Sequence, residues 1–236
     1  MNGQKPGSLR LIATPIGNLG DLSLRTRETM GSCTLLACED TRVTGRLLAH
    51  LSLSIQMVSY REENERTKTG ELIDAIEQGA QVGLVSDAGF PGISDPGLRL
   101  VRECHARSIR VIPIPGPNAA ITALAASGLP THQFTFLGFL PKKSAAVRKL
   151  FEQWKDCEGS LVFYESKYKI EKTLILLSEV YGEDRFVSLA RELTKLHETI
   201  LSGSLSDVAA RFQSGSSKGE FTVVVAPQGY SIVRQT

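Results

Sequence analysis

The chain has 236 residues, with 27 lysines and arginines against 25 aspartates and glutamates, which gives a net charge of +2 at pH 7. This balance excludes a protein that holds nucleic acid by overall charge alone, so any contact with RNA must come from local clusters of basic residues. The length suits one large domain or two of ordinary size, and the hydrophobic fraction of 42% is typical of a soluble globular protein.

The four cysteines, at 33, 38, 104 and 157, form no CxxC pair and have no histidine at ligand spacing. We therefore expect neither a metal site nor a disulfide framework, and reduced thiols of this kind fit a cytoplasmic protein. No apolar run approaches the roughly 20 residues that cross a bilayer. Because the start of the chain is polar and unlike a signal peptide, we expect no membrane partner.

The first half of the chain alternates predicted strands and helices. Short apolar, β-branched runs predict strands at Leu9–Thr14, Thr34–Cys38, Ile55–Tyr60, Val82–Val85 and Arg110–Ile114. Helical patterns separate them, and a further helix is expected over Asn118–Ala126. This alternation predicts an α/β domain with a mostly parallel sheet, whose ligands bind beyond the carboxyl ends of the strands.

The longest of the loops that follow these strands begins after Val85. Residues 86–97 hold three glycines and two prolines, a composition that favours close approach of a ligand to the main chain. The alternative is an ordinary strand-to-helix turn in which Asp95 caps a helix that Pro96 opens.

The second half, which follows an expected hinge at Ser127–Pro130, has a different order of strands and helices. Its predicted strands are Gln133–Phe136, Ser160–Tyr164, Arg185–Arg191, His197–Gly203 and Phe221–Ala226, and its predicted helices are Lys142–Cys157, Lys169–Val180 and Leu205–Phe212. Strands that follow one another with little helix between them imply antiparallel pairing, hence a mixed sheet. The predicted domains are residues 8–128 and 132–230.

Eight short segments carry a resemblance to a known family. In chain order they read ATPIGNLGD, CEDTR, VSDAGFPGISDPG, PIPGPNA, ASGLP, GFLPKK, FYES and ARELTKLHE. They resemble the ribosomal RNA small-subunit methyltransferase I family, whose members are 2′-O-ribose cytidine methyltransferases with the tetrapyrrole-methylase (class III) fold. The resemblance implies two α/β domains, a homodimer, S-adenosylmethionine bound in the cleft between the domains, and a cytidine of 16S ribosomal RNA as substrate.

The resemblance also implies which residues contact S-adenosylmethionine. In the first domain they are Ser86, Asp87, Ala88, Gly89, Ile93, Ser94, Pro115 and Gly116. In the second domain they are Tyr164, Leu189, Ala190 and the segment from Gly219 to Thr222. The alternative for Asp87 is a turn-stabilising role without a ligand.

Methyl transfer to a ribose hydroxyl needs in-line placement of the two substrates and a group that takes the proton or stabilises the alkoxide. No metal is required. The candidate catalytic residues are Glu39 and Asp40 in the first half and Glu192 and Lys195 in the second. For each pair the alternative is a structural salt bridge, of Glu39 or Asp40 with Arg42 and of Glu192 with Lys195.

Six basic side chains are the expected contacts with RNA phosphates. They are Arg42, Arg46, Arg61, Lys142, Lys143 and Lys169, and the alternative for them is solvated surface. The expected acceptor is an unpaired nucleotide, because enzymes reach bases most readily where they are already unstacked.

Three departures from the family pattern bear on these expectations. Phe90 stands where threonine is usual, Arg61 where histidine is usual, and Lys167-Tyr168-Lys169 where a Pro-His-Arg run is usual. The chain is also expected to lack the small carboxyl-terminal domain that many members carry. Two other functions stay open: a methylase that acts on a tetrapyrrole or corrin ring, and a member that binds cofactor or RNA without catalysis.

Overall fold

The computed structural model describes residues 6–216 and 218–230. Its backbone contacts divide into two compact units, the first up to Asn118 and the second from Ala119 onwards. Each unit is built on a five-stranded sheet. Over the described residues, no helix is both long and apolar enough to cross a membrane.

The first unit alternates strands and helices as predicted. Its strands are β1 (Ser8–Ile12), β2 (Leu35–Cys38), β3 (Gln56–Ser59), β4 (Gln81–Val85) and β5 (Arg110–Ile114), and its α-helices are α1 (Leu24–Gly31), α2 (Thr41–His50), α3 (Glu65–Glu77) and α4 (Leu98–Ala106). The strand order is β3-β2-β4-β1-β5, and every neighbouring pair is parallel. The carboxyl ends of all these strands therefore meet at one edge, here named the carboxyl edge.

Apolar side chains cover both faces of this sheet. On one face Leu9 and Leu84 pack with residues of α3 and α4, and on the other Ile12 and Leu36 pack with residues of α1 and α2. Packing on the face covered by α1 and α2 is tight at Gly83 in β4, where an added Cβ would lie 2.5 Å from Cδ2 of Leu36. The loops at the carboxyl edge thus start from a closely packed three-layer core.

The second unit is a mixed sheet with helices. Its elements are α5 (Ala119–Ala126), β6 (Phe134–Phe139), α6 (Ser144–Gln153), β7 (Ser160–Ser166), α7 (Ile170–Tyr181), β8 (Phe186–Arg191), β9 (Thr199–Ser204), α8 (Leu205–Gln213) and β10 (Glu220–Val225). The strand order is β6-β7-β10-β8-β9, in which β6 and β7 are parallel and the other pairs antiparallel. The predicted fold class, a parallel sheet followed by a mixed one, is confirmed.

Helix α5 packs on the second sheet. It contacts β7 and β10, and the main-chain N–H of Ala120 donates to the hydroxyl of Tyr164 at 3.3 Å. The sequence analysis placed this helix in the range 8–128 because it follows the last strand of the parallel sheet. Its packing groups it with the second sheet instead, since its small side chains allow the helix to approach β7 and β10 closely.

Two helices begin later than the sequence predicted. Pro96 does not open α4, and Asp95 is not its N-cap, because Gly97 holds the N-cap position with a φ of 149° that favours glycine. Helix α6 begins at Ser144 and ends at Gln153, so it is shorter than the predicted helix over 142–157. Lys142 and Lys143 consequently precede the helix rather than form its first turn.

Candidate functional site

The predicted site residues of the first unit are brought together at the carboxyl edge. Glu39 follows β2, Arg61 lies just beyond β3, Ser86 follows β4 and Pro115 follows β5. A parallel sheet dictates this convergence, because each strand delivers its loop to the same side.

The loop after β4 is joined to the loop after β1 by main-chain hydrogen bonds. Thr14 N donates to Gly89 O at 2.9 Å, and Gly89 N donates back to Thr14 O at 3.1 Å. The hydroxyl of Thr14 also donates to the main-chain oxygen of Ser86 at 3.0 Å. Gly89 has a φ of 89°, a conformation that side-chain-bearing residues rarely adopt. The backbone of the predicted cofactor loop is thereby held in one place.

The far part of this loop is strained and exposed. Ser94 has a φ of 65°, which is uncommon for a residue other than glycine, and the neighbouring Ile93 is 43% exposed. Backbone strain of this kind costs about 1–3 kcal/mol and is concentrated at binding and active sites. The conformation of residues 93–94 is therefore typical of a loop shaped for a ligand.

Four carboxylates gather at the carboxyl edge, and we name them the acid cluster: Glu39, Asp40, Asp87 and Asp95. Burial raises the pKa of Glu39, and the negative charge of Asp87 raises it further. Burial and then the charges of Glu39 and Asp87 raise the pKa of Asp95 to about 6. Because partly buried like charges repel, the cluster favours a positively charged ligand.

Within the acid cluster, Asp40 is committed to structure. Its Oδ1 accepts a hydrogen bond from the main-chain N–H of Arg42 at 2.8 Å and so caps α2. The guanidinium of Arg42 donates to the same carboxylate from Nε at 3.0 Å and from Nη2 at 2.6 Å. These bonds hold the pKa of Asp40 well below its usual range. Of the two candidate bases in this loop, Glu39 is therefore the better proton acceptor at neutral pH.

The three arginines predicted to contact RNA from the first unit differ in their surroundings. Arg42 is paired with Asp40, and Arg61 donates from Nε to the main-chain oxygen of Glu39 at 2.7 Å. Arg46 is exposed, and its guanidinium forms no ion pair or hydrogen bond with other residues in the described part of the chain. It is the one of these arginines whose guanidinium has no protein partner among the described residues.

A cavity of about 260 Å³ opens at the carboxyl edge. It lies between the loop after β1, helix α2 and the loop after β4, and its lining includes Leu19, Leu47, Arg46 and Asp87. The sequence analysis predicted Arg46 and Asp87 as site residues but missed the cavity between them. The signal available was the four-residue spacing of Val43 and Leu47 on the polar helix α2.

In the second unit, three of the predicted cofactor residues stand side by side. Thr222 in β10 pairs with Tyr164 in β7 and with Ala190 in β8, so these side chains share one face of the sheet. Leu189 points to the opposite face, where it belongs to the core formed with α6, α7 and α8. The structure thus does not bring the side chain of Leu189 to the row formed by the other three.

This row continues into an aromatic pair that sequence reasoning missed. Phe139 in the edge strand β6 pairs with Tyr164, and their ring centroids lie 5.3 Å apart. The side chain of Phe139 is 64% exposed. Lys142 and Lys143 follow a few residues later and are exposed, without an ion pair to other described residues.

Glu192 and Lys195 form a compact charged group with Glu220. The ammonium of Lys195 lies 3.0 Å from Glu192 Oε1 and 2.8 Å from Glu220 Oε2. Burial by itself would raise the pKa of Glu192, but the N–H of Glu220 and the charge of Lys195 outweigh it and lower the pKa. Gly219, with a φ of 119°, leaves the space for Glu192, since an added Cβ would lie 2.6 Å from Glu192 Cγ. Glu192 is thus ionised and a weak base, and Lys195 stays protonated between the two carboxylates.

With this geometry established, the chain can be compared with known proteins. Residues 8–209 match the family model described as Tetrapyrrole (Corrin/Porphyrin) Methylases. The chain belongs to the tetrapyrrole methylase family.

Several relatives of this tetrapyrrole methylase carry the name Ribosomal RNA small subunit methyltransferase I. The protein of Halalkalibacterium halodurans is 44% identical over 226 residues, which cover 96% of this chain and 78% of the relative. That of Synechocystis is 44% identical over 220 residues, covering 93% and 79%. That of Escherichia coli O157:H7 is 42% identical over 221 residues, covering 93% and 77%. The family resemblance drawn from the eight motifs is confirmed.

Two solved structures share the fold of this tetrapyrrole methylase. The methyltransferase CobJ aligns with a TM-score of 0.69 at 19% identity, over 96% of this chain and 97% of its own. The uroporphyrin-III-C-methyltransferase from Thermus thermophilus aligns with a TM-score of 0.63 at 17% identity, over 93% and 94%. At these identities the likeness establishes the fold and leaves the substrate to be argued from the site.

Proposed function

We propose that the protein transfers a methyl group from S-adenosylmethionine to the ribose 2′-hydroxyl of a cytidine in the 16S RNA of the small ribosomal subunit. The observation that carries this proposal is the 42–44% identity, over more than nine tenths of the chain, to proteins named Ribosomal RNA small subunit methyltransferase I. The names of the two structural neighbours suggest a corrin or porphyrin substrate instead, but at 17–19% identity they support only the fold.

The chemistry of the first unit suits this methyl donor. S-adenosylmethionine carries a sulfonium and an ammonium group and supplies an electrophilic methyl group when bound. The acid cluster presents negative charge to such a cation, and Asp87 and Asp95 lie on the loop whose backbone is fixed by the Thr14–Gly89 bonds. The loop glycines at 89 and 92 let a ligand reach the main chain, and at Gly92 even an added Cβ would meet no atom within 4 Å.

Within the proposed reaction, the residues of the chain orient the acceptor and manage its proton. Glu39 is the proposed proton acceptor, because burial and Asp87 raise its pKa towards the working pH. In the second unit, Lys195, which Glu192 and Glu220 keep protonated, is the proposed hydrogen-bond donor to a developing alkoxide. Asp40 has a structural part in this scheme, as the cap of α2 and the partner of Arg42.

Unpaired positive charge also supports an RNA substrate. Arg46, Lys142 and Lys143 are exposed and carry no ion pair to other described residues, so they are available to phosphates. Lys169 at the start of α7 and Arg61 stay secondary candidates. The family resemblance further supports a homodimer in the cytoplasm, which light scattering of the purified protein and fractionation of cells test directly.

The decisive experiment supplies labelled S-adenosylmethionine together with small-subunit particles that lack the modification. Digestion of the RNA to nucleosides and mass spectrometry should reveal 2′-O-methylcytidine. A parallel incubation with a precursor corrin tests the small-molecule alternative. Label in the corrin and none in the RNA would reject the proposal.

Two variants test the assigned roles. Glu39→Gln should lower the rate of transfer at saturating donor by about 10²–10⁴-fold, as expected for loss of a general base. Asp87→Ala should weaken binding of the donor, measured by calorimetry. Asp74→Asn, which changes an exposed carboxyl on α3, is the control and should alter neither quantity.

A further inference from the structure

We propose that the cavity between the loop after β1 and helix α2 receives the acceptor nucleotide, with its base against the apolar walls and its phosphate on Arg46 and His50. This inference rests on the proposed function and deepens it, because it locates the acceptor side of the reaction within the first unit. The cavity is named the α2 cavity from here on.

The walls of the α2 cavity are of the kind that hold a planar base. Pro15 and Leu19 contribute from the loop after β1, and Val43 and Leu47 contribute from α2. Leu19 is 46% exposed, so an apolar side chain stands uncovered beside the opening. Enzymes that act on a single nucleotide extrude it from its stack and enclose its base between apolar or aromatic side chains.

The size of the α2 cavity fits one nucleoside. Its volume is about 260 Å³, just below the roughly 300–1,000 Å³ of pockets for drug-sized ligands. A tetrapyrrole macrocycle is several times larger than a single pyrimidine base. The cavity therefore selects for a small planar group that is presented on a larger molecule.

The side chains at the opening of the cavity suit a phosphate, since Arg46 carries a positive charge and His50 can donate a hydrogen bond. Arg46 and His50 are one helical turn apart on α2, so their side chains lie on the same side of the helix, and both line the cavity. Both are exposed, and within the described residues neither forms an ion pair or a side-chain hydrogen bond. Arg42, one turn earlier, is instead neutralised by Asp40. Of the two arginines on α2, the one left for a ligand is thus Arg46, where the cavity opens.

The inner end of the α2 cavity lies against the loop proposed to hold the methyl donor. Ser86 and Asp87 line the cavity and are also the first residues of that loop. Asp87 Oδ1 accepts a hydrogen bond from the N–H of Asp40 at 3.0 Å, and the oxygen of Ser86 accepts one from Thr14. These bonds fix the wall, so a nucleoside in the cavity has a rigid boundary on the donor side.

The test fills the cavity without touching the donor loop. Leu47→Trp places a large ring in the cavity, and we expect methyl transfer to small-subunit particles to fall by about 100-fold or more, as for a misplaced acceptor. Its affinity for S-adenosylmethionine, measured by calorimetry, should stay within about twofold of the wild type, since no donor contact is lost. Ala49→Trp puts the same ring at an exposed position on the same helix and should transfer at the wild-type rate.

Two results with Leu47→Trp would overturn the inference. Transfer at the wild-type rate would mean that the cavity does not take the acceptor. A parallel loss of donor affinity and of transfer, in a variant whose circular dichroism matches the wild type, would assign the cavity to the donor instead. Failure of the wild-type protein to methylate the particles is a separate result, which rejects the proposed function itself.

A second variant decides the question where Leu47→Trp does not fold. Arg46→Ala should raise KM for the particles, leave kcat unchanged, and reduce the salt dependence of binding by about one phosphate contact. Arg27→Ala removes an exposed charge from α1 and is the matched control. An unchanged KM and salt dependence with Arg46→Ala would overturn the inference.

Discussion

Replacing Asp95 by asparagine should stabilise the first unit at pH 8, although it removes a charge proposed to hold the donor. Burial, and then the charges of Glu39 and Asp87, raise the pKa of Asp95 to about 6, whereas an aspartate in an unfolded chain has a pKa of about 3.9. A difference of about two units corresponds to about 3 kcal/mol at 1.36 kcal/mol per unit. Because the side chain is partly exposed, solvent screening reduces the expected gain to about 1–2 kcal/mol.

The pH dependence of this gain has a definite sign. An acid with a raised pKa binds its proton more tightly in the folded state, so ionised Asp95 destabilises the fold as pH rises from about 4 to about 6. Asparagine has nearly the same shape and no charge. The variant and the wild type should therefore be equally stable below about pH 4, and the stability difference between them should grow as pH rises from about 4 to about 6 and stay constant above it.

Hydrogen exchange read on peptides of residues 82–100 is the appropriate assay. Tryptophan fluorescence does not serve, because the single tryptophan, Trp154, lies in the second unit. Asp74→Asn is the matched control and should change the opening free energy by no more than about 0.5 kcal/mol. If Asp95→Asn is no more stable than the wild type at pH 8, the acid cluster is not under repulsion, and the argument for a cationic ligand there fails.

Three further predictions follow from the packing and charges of the first unit. Binding of S-adenosylmethionine should weaken as pH falls through about 6, because Asp95 takes up a proton there, and calorimetry at pH 5 and pH 8 measures it. Gly83→Ala should lower the free energy of unfolding by about 1–3 kcal/mol through overpacking. Gly70→Ala should instead raise it by about 0.5–1 kcal/mol, because the added Cβ meets no atom within 4 Å and alanine favours the helix. Equal melting temperatures of the two variants would contradict this prediction. Ser23→Ala should cost about 1 kcal/mol as the N-cap of α1 is lost, and Ser23→Gly only a few tenths, by the same melting assay.

The convergence of loops at the carboxyl edge was predictable from the sequence. Alternating strands and helices imply parallel strands, and parallel strands bring the loops that contain Glu39, Ser86 and Pro115 to one side whatever their order in the sheet. The family could be inferred as well, because eight motifs in order are far more specific than any one of them.

What escaped prediction depends on packing between segments distant in the chain. The α2 cavity exists only because the loop after β1 approaches α2, and no local pattern shows that. The placement of α5 on the second sheet is of the same kind, since its small residues would pack on either sheet. The opposite orientation of Leu189 and Ala190, by contrast, follows from the alternation of side chains along any strand and was available from the sequence.

The paired bonds between Thr14 and Gly89 have a consequence for how this protein tolerates change. These two hydrogen bonds join peptide groups rather than side chains, so most replacements at Thr14 leave both bonds intact. Only proline, which lacks the N–H, or a chemical exchange of the amide for an ester would remove one of these hydrogen bonds. Replacing side chains at the neighbouring positions therefore leaves the main-chain frame of the two loops in place.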